Sequence, residues 1–180
     1  MHCWVKRAYY RGFEQHLQHI QEYDIIVDLG CGTGYLADLL SQSVKHKRIV
    51  GVDVSPEMIA FAEQNYKPMD SVQYLVQDLS QSWDSLSSEL KALESKVSLI
   101  VSNFAIQFIS DKSRLMHVVS KLLAKNGEFM AIYTIKPDVI LMLTDEQILH
   151  NNITLADKWD PNGPEVPTYY HGIQVECYKR

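Results

Sequence analysis

The chain has 180 residues, which is a usual length for a single domain and enough to bury a hydrophobic core. Hydrophobic residues make up 46% of it and charged residues 22%, a composition that excludes disorder over most of the length. The formal net charge is −5 and no long run of Lys or Arg is present, so nucleic acid is not an expected partner.

Two kinds of apolar segment alternate along the central part of the chain. Short β-branched runs predict buried strands at 25–27, 49–54, 72–76, 97–101 and 129–135. Between them, helical spacing of apolar residues predicts four helices. The first follows residue 34, and the second begins at Ser55-Pro56. The third has Trp83, Leu86, Leu90 and Leu93 on one face, and the fourth contains Leu115 and ends at Asn126-Gly127. This alternation predicts an α/β fold, a mostly parallel sheet with helices on both faces.

The two ends of the chain are less regular. Residues 9–21 predict a helix, four prolines interrupt 136–171, and the alternation of 173–177 predicts a last strand. We therefore expect one domain over 1–180, made of an N-terminal helical or lid segment at 1–24, a core at 25–135 and an irregular part at 136–180.

Cysteine and histidine usage gives no sign of a disulfide framework or a metal site. Cys3, Cys31 and Cys177 are widely spaced and odd in number, and the seven His residues lack metal-ligand spacing. No apolar run approaches the ~20 residues of a membrane-spanning helix, and residues 1–11 lack the apolar core of a signal peptide. We therefore expect a cytoplasmic protein with no metal ion and no contact with a membrane.

The segment Asp28-Leu29-Gly30-Cys31-Gly32-Thr33-Gly34 joins the first predicted strand to the first predicted helix. Glycines allow a tight turn and let a ligand approach the backbone closely, and the helix offers free N–H groups at its start. In open α/β sheets, ligands bind at the carboxyl ends of the strands. We therefore predict that Asp28, Gly30, Cys31, Gly32 and Gly34 bind a cofactor, with Cys31 contributing its backbone.

Acidic residues also follow the second and third predicted strands. Asp53, followed by Val54, lies about 20 positions past the loop, where a carboxylate can accept hydrogen bonds from a ribose diol. Asp78, between Gln77 and Leu79, can accept a hydrogen bond from an adenine amino group. Taken alone, Asp53 could be an ordinary helix N-terminal residue and Asp78 a turn residue. Together with the loop, both segments predict cofactor binding.

Two families of cofactor enzymes fit these motifs. Gly32-x-Gly34-x-x-Ala37 matches a dinucleotide-binding pattern, which leaves a nicotinamide-dependent oxidoreductase as one alternative. The spacing D-x-G-x-G-x-G from Asp28 instead resembles motif I of class I S-adenosylmethionine-dependent methyltransferases. The resemblance implies S-adenosylmethionine as the cofactor, with Asp28 near its amino end and Asp53 at its ribose. It also implies a Rossmann-like, seven-stranded sheet, which 136–180 is expected to leave shortened.

Two further segments, 51–59 and 102–109, resemble juvenile hormone acid methyltransferases and their relatives, which methylate the carboxylate of a sesquiterpenoid acid. This resemblance implies a small-molecule acceptor that is methylated on a carboxylate oxygen, and a carboxylate is already ionised near pH 7 without a general base. Gln107-Phe108 stands where that family usually has His-Trp.

The residues after the fourth predicted strand are expected to face the reaction centre. Asn103 and Gln107 are the expected catalytic residues, and Gln107 could orient an acceptor oxygen. Asn103 is also expected to bind the cofactor. Phe104 and Phe108 either wall the acceptor pocket or pack in the core. At the other end of the chain, Tyr9, Tyr10 and Phe13 are either lid residues or packing residues of the N-terminal helix.

Two other functions remain alternatives. The stretch 104–108, with Ile140 and Leu141, also resembles messenger-RNA cap guanine-N7 methyltransferases, although the acidic net charge weighs against RNA. The irregular C-terminal part is compatible with a catalytically silent, methyltransferase-like subunit or fragment that serves a partner protein.

Overall fold

The computed structural model arranges the strands in one sheet. It describes residues 22–66 and 69–134, and in addition the backbone of 154–155 and 172–178. The strands are β1 (Tyr23–Leu29), β2 (His46–Asp53), β3 (Val72–Val76), β4 (Val97–Asn103), β5 (Leu123–Thr134), β6 (Thr154–Leu155) and β7 (Gly172–Tyr178). Their order across the sheet is β3-β2-β1-β4-β5-β7-β6. The first five pair in parallel and the last two pairings are antiparallel, so the predicted Rossmann-like α/β fold is confirmed.

Four α-helices connect the parallel strands: α1 (Tyr35–Ser43), α2 (Pro56–Asn65), α3 (Ser88–Lys91) and α4 (Lys112–Leu122). The predicted start of α2 is confirmed, because the Ser55 hydroxyl accepts a hydrogen bond from the Met58 N–H at 3.2 Å and Pro56 occupies the first turn. Asp111 caps α4 in the same way, accepting from the Arg114 N–H at 2.8 Å.

Alternate residues of the strands pack on opposite faces of the sheet. Ile26 of β1 lies in a cluster with the buried side of α1, namely Leu36, Ala37 and Leu40. Its neighbour Val27 lies in the other cluster, which contains the buried side of α4, namely Leu115, Val118, Val119 and Leu122. Because β1 is covered on both faces, its apolar run is continuous rather than alternating.

The helix predicted from Trp83 to Leu93 is not one continuous helix in the structure. The segment that begins at Trp83 forms a 3₁₀ turn (Trp83–Ser85) and then the short helix α3. Serines dominate this stretch, and Ser87 caps α3 by accepting from the Leu90 N–H at 3.3 Å, a role that competes with helix continuation. Leu86, Leu90 and Leu93 nevertheless share one core cluster.

The end of α4 also differs from its prediction. The helix stops at Leu122 and β5 begins at Leu123. The left-handed residue is Asn126, with φ of 63°, and not Gly127. Gly127 is needed for space instead, because a Cβ atom there would lie 2.7 Å from the carbonyl oxygen of Val97.

The C-terminal part contributes more to the sheet than expected. The predicted strand at 173–177 is confirmed as β7, which pairs with β5 and with the two-residue strand β6. The expectation that this part leaves the sheet shortened is wrong, since the sheet has seven strands. The predicted helix at 9–21 and its lid residues lie outside the described residues. Of the N-terminal segment at 1–24, only 22–24 are described, and β1 already begins at Tyr23. Within the described ranges, no helix has both the length and the apolar character to cross a membrane.

Candidate functional site

The glycine loop turns sharply between β1 and α1. Gly30, Gly32 and Gly34 have φ of 74°, 53° and 79°, a left-handed backbone that side chains disfavour. A Cβ atom on Gly30 would overlap that of Ala105, whereas one on Gly32 would meet no atom of the described residues within 4 Å. The backbone at Gly32 therefore borders open space at the edge of the sheet, where a ligand can approach it.

Asp53 ties the loop to the neighbouring strand. Its Oδ2 accepts a hydrogen bond from the Gly32 N–H at 2.8 Å, and its Oδ1 accepts from the Ser55 N–H at 2.9 Å. Each carboxylate oxygen can accept more than one hydrogen bond, so the same group can also bind a ligand's hydroxyls. Asp53 thus shapes the glycine loop, and its role as a ribose ligand stays a prediction.

Asp28 is a buried carboxyl group beside this loop. The residue is only 1% exposed, and neither of its carboxyl oxygens has a hydrogen-bond partner among the described residues. Burial, with a smaller contribution from the charge of Asp53, raises the pKa of Asp28 to about 7. A buried carboxyl without a partner is costly when ionised, and a cation at the loop would compensate for its charge.

Cys31 does not have the surroundings of a nucleophile. The residue is 8% exposed, and burial, together with the nearby Asp28 and Asp53, raises the pKa of its thiol. A thiol with a raised pKa stays protonated near neutral pH and is inert. Its interpretation as a loop residue that contributes its backbone stays a prediction.

Sequence reasoning missed Tyr74, which reaches the loop from β3. Tyr74 pairs with Gly51 across β2 and β3, and its ring fills the space of the missing Cβ atoms of Gly51 and Gly34. The ring also borders a cavity of about 510 Å³ between α1, α2 and β3. A glycine inside a strand often marks a close approach, so Gly51 was the signal that could have predicted a bulky neighbour.

The Tyr74 hydroxyl gives a testable expectation about stability. It is buried without a hydrogen-bond partner in the part of the chain that the structure describes, and burial raises the pKa of the phenol. We expect Tyr74→Phe to raise the free energy of unfolding by about 1 kcal/mol, because an unsatisfied polar group is removed. Tyr74→Leu, which also removes the ring, should lower it by roughly 2 kcal/mol or more. Urea denaturation measures both, and a destabilised Phe variant would mean that the hydroxyl has a partner.

The residues predicted to bind the cofactor after β2 and β3 differ in their exposure to solvent. Val54, after β2, is 62% exposed, and Asp78 is partly exposed with its Oδ1 accepting from the Ser80 N–H at 2.8 Å. Leu79 is 5% exposed and packs in the core. The Gln77 amide is engaged inside the protein, where its Oε1 accepts from the Ser87 N–H at 2.8 Å. Val54 and Asp78 therefore offer side chains to a ligand, whereas a contact by Gln77 or Leu79 stays a prediction.

The turn after β4 lies against the glycine loop. Asn103 ends the strand, and Phe104 follows with φ of 52° and donates its N–H to the carbonyl of Ile132 at 2.7 Å. Gln107 donates its Nε2–H to the Phe104 carbonyl at 2.9 Å, while its Oε1 is buried without a partner among the described residues. A carbonyl can only accept, so this contact fixes which end of the amide is free.

The two aromatic residues of this turn differ in their surroundings. Phe104 is partly buried and packs against the cluster that contains α1, as expected of a core residue. Phe108 is 84% exposed, so the described residues do not enclose it in a pocket wall. It offers an exposed apolar ring next to the turn, and its contact with an acceptor stays a prediction.

These groups meet at one edge of the sheet because parallel strands end on the same side. Strands β2, β1 and β4 are neighbours, and the chain order reverses between β1 and β4, where ligands of such sheets bind. Among the described residues, this edge therefore combines an open approach to Gly32, an Asp28 carboxyl without a hydrogen-bond partner and the Asp53 carboxylate. No group of three or more His, Cys, Asp or Glu residues within the described ranges could hold a metal ion.

The chain was compared with known families and proteins. A family model described as a methyltransferase domain matches residues 26–127. The chain is 30% identical over 120 residues to malonyl-(acyl-carrier protein) O-methyltransferase of Paenibacillus sp. (strain JDR-2), a match that covers 66% of this chain and 41% of that one. It is 25% identical over 199 residues to juvenile hormone acid O-methyltransferase of Bombyx mori, covering 96% of this chain and 66% of that one.

A solved structure shares the fold. The S-adenosylmethionine-dependent methyltransferase from Mesorhizobium loti superposes with a TM-score of 0.58 at 23% identity, covering 71% of this chain and 54% of that one. The chain spans between 38% and 64% of the length of three curated relatives that it matches.

Proposed function

The chain belongs to the methyltransferase-domain family, and we propose that it transfers a methyl group from S-adenosylmethionine to a carboxylate oxygen of a small or carrier-bound organic acid. The observation that carries the proposal is the buried Asp28 carboxyl, which has no hydrogen-bond partner among the described residues and lies beside the glycine loop, with Asp53 at the next strand end. This pair suits a cofactor that has a cationic amino acid at one end and a ribose at the other.

In this proposal, each part of the cofactor contacts a different described residue. Asp53 would accept hydrogen bonds from the ribose hydroxyls, the exposed side chain of Val54 would cover one face of the adenine, and Asp78 would accept from its amino group. Asp28 would compensate for the charge of the ammonium group. When bound, S-adenosylmethionine supplies an electrophilic methyl group on a sulfonium sulfur, which a nucleophile takes by in-line displacement.

An acid as acceptor agrees with the chemistry of the site. A carboxylate is ionised near pH 7, so the protein needs to orient it and exclude water rather than remove a proton. The ionisable groups that the described residues bring to the loop are suited to other tasks: Asp28 and Cys31 are buried, and Asp53 holds two backbone N–H groups. The names of the Paenibacillus and Bombyx relatives, which refer to malonyl and juvenile hormone acid substrates, support the same acceptor class.

Gln107 can contribute to acceptor orientation through its Oε1. One N–H of its amide donates to the Phe104 carbonyl, and Oε1, which has no partner among the described residues, can accept a hydrogen bond but cannot donate one. In this proposal Gln107 binds a hydroxyl or N–H group elsewhere on the acceptor and so aligns the carboxylate, while Asn103 lies at the adjoining strand end.

The Gln107 role is tested with Gln107→Met, which keeps the length of the side chain and removes its hydrogen-bonding groups. We expect kcat/KM for the acceptor to fall roughly tenfold, as for the loss of one hydrogen bond, while the Kd for S-adenosylhomocysteine stays unchanged. Steady-state kinetics and calorimetric titration measure the two quantities. Full activity of the Met variant would remove Gln107 from the proposed site.

The function itself is tested by incubating the protein with S-adenosylmethionine labelled in its methyl group and a panel of free and carrier-bound acids. We expect label in a product that mild alkali releases as methanol, which identifies a methyl ester. Label that is stable to alkali would indicate an amine or hydroxyl acceptor and overturn the proposed acceptor class.

Two other outcomes address the alternative functions. Cofactor binding without any turnover, followed by turnover when a partner protein is added, would favour a methyltransferase-like subunit. Transfer to capped RNA with a steep salt dependence would favour a cap methyltransferase.

A further inference from the structure

The Asp28 carboxyl has surroundings that oppose its negative charge. It is the penultimate residue of β1 and is 1% exposed, and both of its oxygens are buried without a hydrogen-bond partner among the described residues. An isolated ionised carboxylate in such surroundings loses hydration without compensation, so the group protonates instead. The orphaned oxygens lie beside the loop that would hold the cofactor's amino acid end.

The neighbouring groups do not relieve this cost. Asp53, on the adjacent strand β2, adds negative charge. Cys31 in the loop and Tyr74 on β3 are the other ionisable groups that interact with Asp28, and burial raises the pKa of each, so both are neutral near pH 7. From β4 and the turn after it, residues 97–108 contribute no ionisable side chain. In the described surroundings, positive charge would have to come from a ligand.

We propose that Asp28 is uncharged in the cofactor-free protein near neutral pH and ionises when the ammonium group of S-adenosylmethionine binds at the glycine loop, so that cofactor binding releases one proton. The O–H bond of the carboxyl group breaks and the proton passes to the buffer. The inference rests on the cofactor of the proposed function but not on its acceptor. Because charge acts through space in a weakly polar interior, the ammonium need not touch the carboxylate.

The pH dependence follows from the sign of this linkage. The pKa of Asp28 in the free protein is about 7. Below that pH the binding reaction must expel a proton, so the affinity should fall about tenfold for each pH unit, and above it the affinity should level off. In the free protein we expect the complementary trend: because the folded carboxyl holds a proton that the unfolded one loses, the contribution of Asp28 to stability should decrease as the pH rises from about 4 to about 7.

The experiment is calorimetric titration of the protein with S-adenosylhomocysteine, which carries the same ammonium group and cannot be turned over. Titrations at about pH 6, in two buffers with different enthalpies of ionisation, measure the number of protons released. The ligand's own amino group, which stands next to a carboxylate, loses its proton only well above this pH and so stays charged there. We expect release of close to one proton at about pH 6, falling towards zero at about pH 8.

Three controls assign the proton to Asp28. 5′-Methylthioadenosine, which has the adenosine and the sulfur but no ammonium group, should bind without release. Asp28→Asn should bind S-adenosylhomocysteine more weakly, without proton release and with a flat dependence between about pH 6 and pH 7.5. Asp38→Asn is the matched control, because it removes a carboxylate on α1 whose hydrogen-bond partner is Gln42. Binding of S-adenosylhomocysteine to this variant should release as many protons as binding to the unaltered protein.

The result is decisive even if Asp28→Asn does not bind. In the unaltered protein, the carbon-13 resonance of the Asp28 carboxyl should titrate near neutral pH, and S-adenosylhomocysteine should move its midpoint to lower pH. Equal binding enthalpies in the two buffers, or equal proton release with 5′-methylthioadenosine, would overturn the proposal. Failure to bind any of these ligands would count instead against the cofactor itself.

Discussion

Asp53→Ala should weaken S-adenosylmethionine binding at least about 100-fold. The substitution removes the carboxylate that would accept from the ribose hydroxyls, and a hydrogen bond to a charged group contributes about 1.5–3 kcal/mol. It also releases the N–H groups of Gly32 and Ser55, which Asp53 holds at 2.8 and 2.9 Å. The binding loss therefore combines lost contacts with a loop that is no longer fixed. Calorimetric titration measures it.

Asp53→Asn is the matched control, because it keeps one acceptor oxygen and almost the same volume. We expect an intermediate Kd, and a melting temperature closer to that of the unaltered protein than Asp53→Ala shows. If the Ala variant is folded and binds within about threefold of the unaltered protein, Asp53 holds only the loop and the ribose assignment is wrong.

The sequence predicted the parallel sheet because its determinants are local. The runs around Ile26, Ile49 and Ile100 are apolar on successive positions, as strands covered on both faces require. The glycine loop and Asp53 were also predictable, since a strand, a tight turn and a helix follow one another there. Parallel strands then bring the two segments to one edge without further information.

Contacts between distant segments were not predictable in the same way. The ring of Tyr74 fills space over Gly51 and Gly34, and Ala105 fills the space beside Gly30, but no local pattern indicates which residues these glycines face. The break between Trp83 and α3 depends on whether serines cap or continue a helix, and tertiary packing decides this.

The proposed role of Gln107 depends on an orientation that only the structure shows. Sequence reasoning could place a polar residue after β4, and an amide can donate or accept. The hydrogen bond to the Phe104 carbonyl engages one N–H of the amide and leaves Oε1 without a partner among the described residues. Because Oε1 can only accept, the group that it would bind on the acceptor is a hydroxyl or an N–H group.

Gly30→Ala and Gly32→Ala should separate folding from ligand binding. At Gly30, with φ of 74°, the new methyl group would overlap the Cβ of Ala105, and backbone strain adds to the overlap. We expect the free energy of unfolding to fall by about 2–5 kcal/mol, a large share of a small domain's stability. At Gly32 no atom of the described part of the chain lies within 4 Å of the added methyl group, so we expect backbone strain of about 1–2 kcal/mol to be the main cost.

Ligand binding should be the property that Gly32→Ala changes most, whereas Gly30→Ala should mainly change folding. Gly32→Ala places its methyl group in the open space that the cofactor is proposed to occupy, so the variant should stay folded and lose measurable binding. Gly30→Ala should regain stability when Ala105→Gly is added, because the second substitution removes the overlapping atom. Urea denaturation and titration with S-adenosylhomocysteine distinguish these effects. An unchanged Kd for folded Gly32→Ala would mean that the ligand does not occupy the space at Gly32, and the site would have to lie elsewhere along the edge.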